Sequence, residues 1–131
     1  MDSPARYRIP RAAELLGVSP DTVRRWVEAG RLAAQRDDAG RWVVDGVELA
    51  RFTVEVHRRQ VAAHPGSTRN RFVGLVTEVR RGDVTCQVEL QCGPFRVVSV
   101  VTTEAVDELG LAPGVTAVAA VKATNVSVDL L

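Results

Sequence analysis

The stretch HPGSTRNRFVGLV, His64 to Val76, begins with turn residues and ends as an apolar strand. Between the two lie Ser67, Thr68, Arg69 and Asn70, four polar groups at the mouth of a strand. A linker needs only Pro65 and Gly66, and a strand needs none of the four. Two other places carry comparable chemistry. Lys122 is the one lysine among 17 basic residues. The segment SPDTVRRW, Ser19 to Trp26, offers Asp21, Thr22, Arg24 and Arg25 on the side opposite its apolar residues. These groups donate hydrogen bonds and carry charge. None belongs to a nucleophile–base pair, a metal-ligand cluster or a phosphate loop. The two histidines, His57 and His64, fall on a helix and in a linker. Cys86 and Cys92 are too few for a disulfide framework and lack zinc spacing. The pattern points to binding and away from catalysis, so no enzyme is expected.

The elements that position these groups fall in a chain of 131 residues, 46% hydrophobic and 25% charged, the balance of a soluble globular protein. No apolar run approaches the ~20 residues that cross a bilayer, and the opening MDSPARYRIP lacks the apolar core of a secretory signal. A cytoplasmic protein with no membrane partner is expected. Charge is uneven: residues 1–70 hold 12 arginines against 9 acids, and residues 71–131 hold 5 basic against 7 acidic residues. A basic front half suits an anionic partner.

Residues 6–62 read mostly as helix. Pro10 suits a helix start, with Ala13, Leu15 and Leu16 as candidates for its buried side. Gly17 ends that helix, Ser19 caps the next and Pro20 fits its first turn. Val23, Trp26 and Val27 follow i, i+3, i+4 spacing and face the core; Gly30 ends the helix. Asp37-Asp38-Ala39-Gly40 between two short extended pieces predicts a β-hairpin. Asp45 and Glu48 have capping-box spacing, which predicts a helix from about Gly46 toward Val61 with Val47, Leu49 and Phe52 among its apolar residues. AAHPGS breaks it. Residues 70–131 read mostly as β, in about five short Val- and Thr-rich strands interrupted by one helix, TEAVDELGL. In TCQVELQC, Cys86, Val88, Leu90 and Cys92 share one face, which makes both thiols reduced core residues. The expected fold is α+β in two domains, the second a small OB-like barrel.

IPRAAELLGVSPDTVRRWVEAGRL, followed by the wing-like AAQRDDAGRWVV and a helix from Val47, resembles the MerR/excisionase-like winged helix-turn-helix. The resemblance implies a DNA-binding domain over 1–62 whose second helix enters the major groove. Candidate DNA contacts are Ser19, Thr22, Arg24 and Arg25 on that helix, and Arg36 and Arg41 beside the wing turn. Arginine pairs with guanine edges or clamps phosphates. The plainer alternative is that these arginines are solvated surface. Trp26 and Trp42 read as core.

STRNRFVGLV resembles the opening of a Mop domain, the molybdate-binding member of the TOBE group. VTTEAVDELGL and VKATNV resemble two later signatures of the same family, in the same order. The resemblance implies a domain over 68–131, after a linker at 63–67, that assembles into dimers or higher oligomers up to a hexamer and binds molybdate at subunit interfaces. It places Ser67, Arg69, Asn70, Thr102, Lys122, Ala123 and Thr124 at or beside the anion, Ala123 through its backbone N–H. Tungstate is an alternative occupant. A tetrahedral dianion has only acceptor oxygens, so hydroxyls, N–H groups and cations are the donors that suit it. Each residue also has a structural alternative: Asn70 holding a turn, Thr102 capping the short helix, Lys122 guarding a strand edge. Ala105 stands where the family pattern has serine, which removes one hydroxyl. The expected function is a molybdate-responsive DNA-binding transcriptional regulator. The alternative is an intracellular molybdate storage protein with a helical docking domain.

Overall fold

A computed structural model of the chain describes residues 5–58 and 66–131. The chain divides into two compact units, Met1–Ala63 and His64–Leu131. His64, the expected end of the front helix near Val61 and most of the expected linker lie outside the described residues.

The first unit packs helices against a small sheet. Strand β1 (Arg6–Arg8) leads directly into α1 (Ile9–Leu16), and α2 (Pro20–Glu28) follows after a tight break. Gly17 makes that break with φ 68°, a left-handed conformation that suits glycine. Ser19 then caps α2: its Oγ accepts from the Thr22 N–H at 3.2 Å. Strands β2 (Gln35–Arg36) and β3 (Trp42–Asp45) form the expected hairpin, and α3 spans Gly46–Arg58. The sheet order is β1-β3-β2. Strand β1 was not expected. Its three residues are too short to show alternation in the sequence; Tyr7 pairs with Val44 only because β3 arrives beside it. Leu15 corrects a second expectation. It is 51% exposed, while Ile9, Ala12 and Ala13 are buried. The buried stripe of α1 therefore runs 9, 12, 13 and leaves Leu15 outside it. Val23, Val27, Leu32, Val44, Leu49 and Phe52 complete this core, with Trp26 packed at its edge. The Trp26 and Phe52 rings stand 4.9 Å apart at 57°.

The second unit is a curled antiparallel half-barrel. Its strands are β4 (Asn70–Arg81), β5 (Thr85–Cys92), β6 (Phe95–Thr102) and β7 (Thr116–Val121), with α4 (Thr103–Leu109) between the last two. The order is β6-β5-β4-β7. The first half of β4 pairs with β7 and the second half with β5. A register shift between Val76 and Glu78 marks where β4 bends from one neighbour to the other. Gly74 lies just before that bend, where a Cβ would stand 2.5 Å from Cys92 Sγ and 2.8 Å from the Gln91 carbonyl oxygen. Only glycine lets the strands approach so closely.

The alternation in β5 falls as read: Cys86, Val88, Leu90 and Cys92 are buried and both cysteines are free. The opposite face holds an exception. Glu89 is only 8% exposed and is held by Arg96 of β6 in a two-pronged ion pair. Those hydrogen bonds, opposed in part by burial, keep its carboxyl below the usual carboxylate range. The Val- and Thr-rich segment VTAVAAVKATNVSV, which reads throughout as strand, is one only over Thr116–Val121; Lys122 follows it, and Ala123–Asn125 form a 3-10 turn. The described residues thus contain four strands in this unit, where about five were expected.

Candidate functional site

The residues of STRN and of KAT come together through the β4–β7 ladder. Asn70, the first residue of β4, pairs with Val121, the last of β7. Its side-chain amide also donates to the Val121 carbonyl at 3.1 Å. Ser67, Thr68 and Arg69 therefore enter the sheet where Lys122, Ala123 and Thr124 leave it. Asn70 thus joins the two segments side by side, a contact across strands where a local turn was the structural alternative weighed for it. Arg69 is exposed, and one arm of its guanidinium donates to the Gly66 carbonyl at 2.6 Å. That bond folds the arginine back over its own turn. Lys122 is exposed as well. Neither cation belongs to an ion pair among the described residues. Ala123 and Thr124 open the 3-10 turn, where leading N–H groups find no acceptor within the turn itself. Two cations, three hydroxyls and the leading N–H groups of the turn make this end of the sheet a concentration of donors.

Thr102 is not part of that concentration within one chain. It pairs with Thr85 across β5 and β6, and the neighbouring Cys86 pairs with Arg81 at the far end of β4. Strand β4 has twelve residues, roughly 37 Å if straight and less when curled. A single tetrahedral anion does not bridge the two ends. Thr102 is also the cap of α4, its Oγ1 accepting from the Ala105 N–H at 3.1 Å. Its hydroxyl proton stays free to donate. The donors of Thr103 are taken: its N–H bonds the Val84 carbonyl at 2.9 Å, and its hydroxyl bonds the Gly82 carbonyl at 2.8 Å. Register reveals the split; sequence spacing does not.

The first unit presents a different surface. On α2, Arg24 and Arg25 are exposed and Val23 and Val27 buried. Ser19 and Thr22 hydroxyls are 2.9 Å apart, and Arg25 donates to Thr22 Oγ1 at 3.2 Å. This chain leans Arg25 along the N-terminal turn. Arg24 is bonded to Asp21 at 2.8 Å in an exposed pair, worth only ~0–1 kcal/mol and easily exchanged. Asp21 was read merely as outward-facing; its i, i+3 spacing from Arg24 was the available signal for a pairing partner. At the wing, Arg36 lies over the Trp42 ring at 4.1 Å and donates to the Gly40 carbonyl at 2.7 Å. Arg41 stands 3.8 Å from Asp37. The Asp37 carboxylate accepts from the Ala39 and Arg41 N–H groups, both at 2.9 Å. The Arg41 N–H bond, ahead of other causes, keeps Asp37 below the usual carboxylate range. Arg36 and Asp37 thus stiffen the wing.

Among the described residues no group of three or more His, Cys, Asp or Glu side chains is placed to hold a metal ion, and no helix is long and apolar enough to cross a membrane.

Helix-turn-helix break, hairpin wing and curled half-barrel define a two-part protein, one part helical and one a β unit of OB type. The family comparisons agree: residues 6–53 match the helix-turn-helix domain and residues 66–128 match the TOBE domain. Molybdenum-pterin-binding protein 2 of Clostridium pasteurianum is 35% identical over 63 residues, covering 47% of this chain and 93% of that protein. Molybdenum-pterin-binding protein 3 of the same organism is 33% identical over the same shares. The structure of a molybdate-binding protein from Sporomusa ovata superposes with a TM-score of 0.50 at 30% identity, covering 51% of this chain and all of that one. Through its second unit, the chain belongs to the TOBE-domain family that includes these molybdenum-pterin-binding proteins, and it carries a helix-turn-helix domain in front.

Proposed function

We propose that this protein is a molybdate-responsive DNA-binding transcriptional regulator. The observation that carries the reading is the union, in one chain, of a helix-turn-helix domain exposing Arg24 and Arg25 with a TOBE unit whose relatives bear molybdenum-binding names. The donor set suits the ligand. Removing a dianion from water is costly unless every oxygen finds a donor and the charge is offset. Arg69 and Lys122 offset it; Ser67, Thr124 and the Ala123 N–H add neutral donors. Because Thr102 stands at the other end of β4, a second copy supplies it, and the anion is held between subunits. The protein is then at least a dimer, up to a hexamer, working in the cytoplasm. Tungstate, with the same charge and shape, competes.

Regulation follows as linkage. An anion bound between copies favours one assembly, and that assembly sets the spacing of the DNA-reading units. In the reading unit, Arg25 addresses a base edge, Arg24 exchanges Asp21 for phosphate or base, and Arg36 and Arg41 place the wing on the backbone. Thr22, itself bonded to Ser19, holds Arg25, and both hydroxyls face the nearest phosphates. No step calls for catalysis.

A second reading has its own support. The second unit alone spans 93% of its curated relatives, so in them the unit stands as nearly the whole protein. By that reading this chain stores molybdate, and the front unit docks it to another protein. Electrophoretic mobility of the promoter DNA of its own gene separates the two: a specific shift supports regulation, and no shift at micromolar protein supports storage.

A further inference from the structure

Asp21 is the one acid in the first turn of α2, and its carboxylate does no capping there. The cap is Ser19, whose Oγ takes the Thr22 N–H. Among the described residues the one hydrogen-bond partner of the Asp21 side chain is Arg24, which donates from Nη1 to Oδ1 at 2.8 Å. The Asp21 side chain is 86% exposed. A helix dipole favours an acid in this turn, but the gain is small and screened by salt. The same place carries a cost in a DNA reader. The first turn of a recognition helix is the part that meets base edges, and a carboxylate there faces phosphates of like charge. Arg25 shows that an arginine on this face needs no acid to hold it: its partner is a neutral hydroxyl, Thr22 Oγ1 at 3.2 Å.

Together Arg24 and Asp21 set donors beside acceptors, and one base pair offers the complement. In the major groove guanine shows the acceptors N7 and O6, and its cytosine shows the N4 amino group. An ionised carboxylate only accepts, so the acceptor edges of guanine and thymine give it nothing. The adenine amino group stands between two acceptors, its own N7 and the thymine O4, whereas the cytosine amino group has an acceptor on one side only.

We propose that Asp21 is a specificity-determining residue: with Arg24 on the guanine edge, its carboxylate accepts the free N4–H of the cytosine in the same base pair. The acid that repels phosphates everywhere is satisfied only at that pair, so it weakens binding to random sequence while the right sequence is spared. This rests on the DNA reading proposed above.

Fluorescence anisotropy of labelled promoter DNA of the protein's own gene, at fixed salt, tests it with the full chain. Each cytosine of the bound site is replaced in turn by N4-methylcytosine, which keeps the pairing hydrogen and blocks the free one. In the native protein one such position should weaken binding about tenfold or more. In Asp21→Ala the same replacement should cost less than about twofold, and the comparison cancels any effect of the methyl group on the DNA itself. Replacing the guanine of that pair by 7-deazaguanine, which lacks N7, should weaken the native protein and not Arg24→Ala. Asp21→Ala should also bind random-sequence DNA about threefold or more tighter, since a like charge has left the interface. Equal sensitivity to every methylated cytosine in native and Asp21→Ala proteins overturns the proposal and leaves Asp21 as a helix-start acid. Sensitive guanine and cytosine positions in different base pairs overturn the joint reading. Both results leave DNA recognition standing, whereas a native protein with no sequence-specific complex removes the function and this inference together.

Discussion

Lys122 separates binding from folding at the level of single residues. It is exposed and lies outside the half-barrel core, so its loss leaves the fold intact. A charge-assisted hydrogen bond contributes about 1.5–3 kcal/mol, so Lys122→Ala should weaken molybdate binding roughly 10- to 150-fold with an unchanged melting temperature in the absence of ligand. Titration calorimetry in sulfate-free buffer checks the first part and a thermal melt the second. Thr102 behaves in the opposite way, because it caps α4. Thr102→Ala should cost about 1 kcal/mol of stability, and Thr102→Ser should restore it. Glu89 gives the pH prediction. Its folded-state pKa lies below the ordinary value, chiefly through Arg96. Its contribution is therefore fully present above the unfolded value of ~4.3 and is lost as pH falls through the folded one. Glu89→Gln should be less stable at pH 7 and should lose less on acidification below pH ~4; equal acid sensitivity in both proteins, read from unfolding midpoints, would deny the pair this role. The sequence pointed to Lys122 by rarity and to Thr102 by motif. It did not reveal the Glu89–Arg96 pair. An acid on an alternating strand reads as solvent-facing, and only the sheet order brings Arg96 beside it.

Local spacing made the helical elements legible and register kept the β unit partly hidden. Gly17, Ser19 and Pro20 mark the break between α1 and α2 because glycine, hydroxyl and ring each have one favoured place at a helix end. The buried stripe of α1 was misplaced at Leu15 because Leu15 and Leu16 cannot both face one neighbour, and spacing alone does not say which yields. β1 and the early end of β7 were missed because a three-residue strand and a strand-to-turn change leave no periodic trace. Likewise, Asn70 and Val121 are far apart in the chain and meet only through β4–β7 pairing. Gly74 carries the element-scale test. Gly74→Ala brings a methyl against Cys92 Sγ and the Gln91 backbone, and overpacking of this kind costs ~1–3 kcal/mol. The loss should appear in chemical denaturation of the second unit. The same stability as the native chain would mean that the bend of β4 relaxes without cost.

Across the whole molecule, the account ties an anion in one unit to DNA reading in the other through assembly. Arg25→Ala should weaken operator binding by ~1–3 kcal/mol while leaving molybdate affinity unchanged, since the arginine lies in the first unit and the donors in the second. The most direct test of the central claim is fluorescence anisotropy of labelled promoter DNA of the protein's own gene, titrated at fixed salt with and without saturating molybdate, in the native chain and in Lys122→Ala. The account predicts a specific complex whose Kd shifts at least fivefold on adding molybdate, in one direction, and a Lys122→Ala protein that binds the same DNA with no shift. Specific DNA binding indifferent to molybdate, or no specific binding in either state, would contradict it.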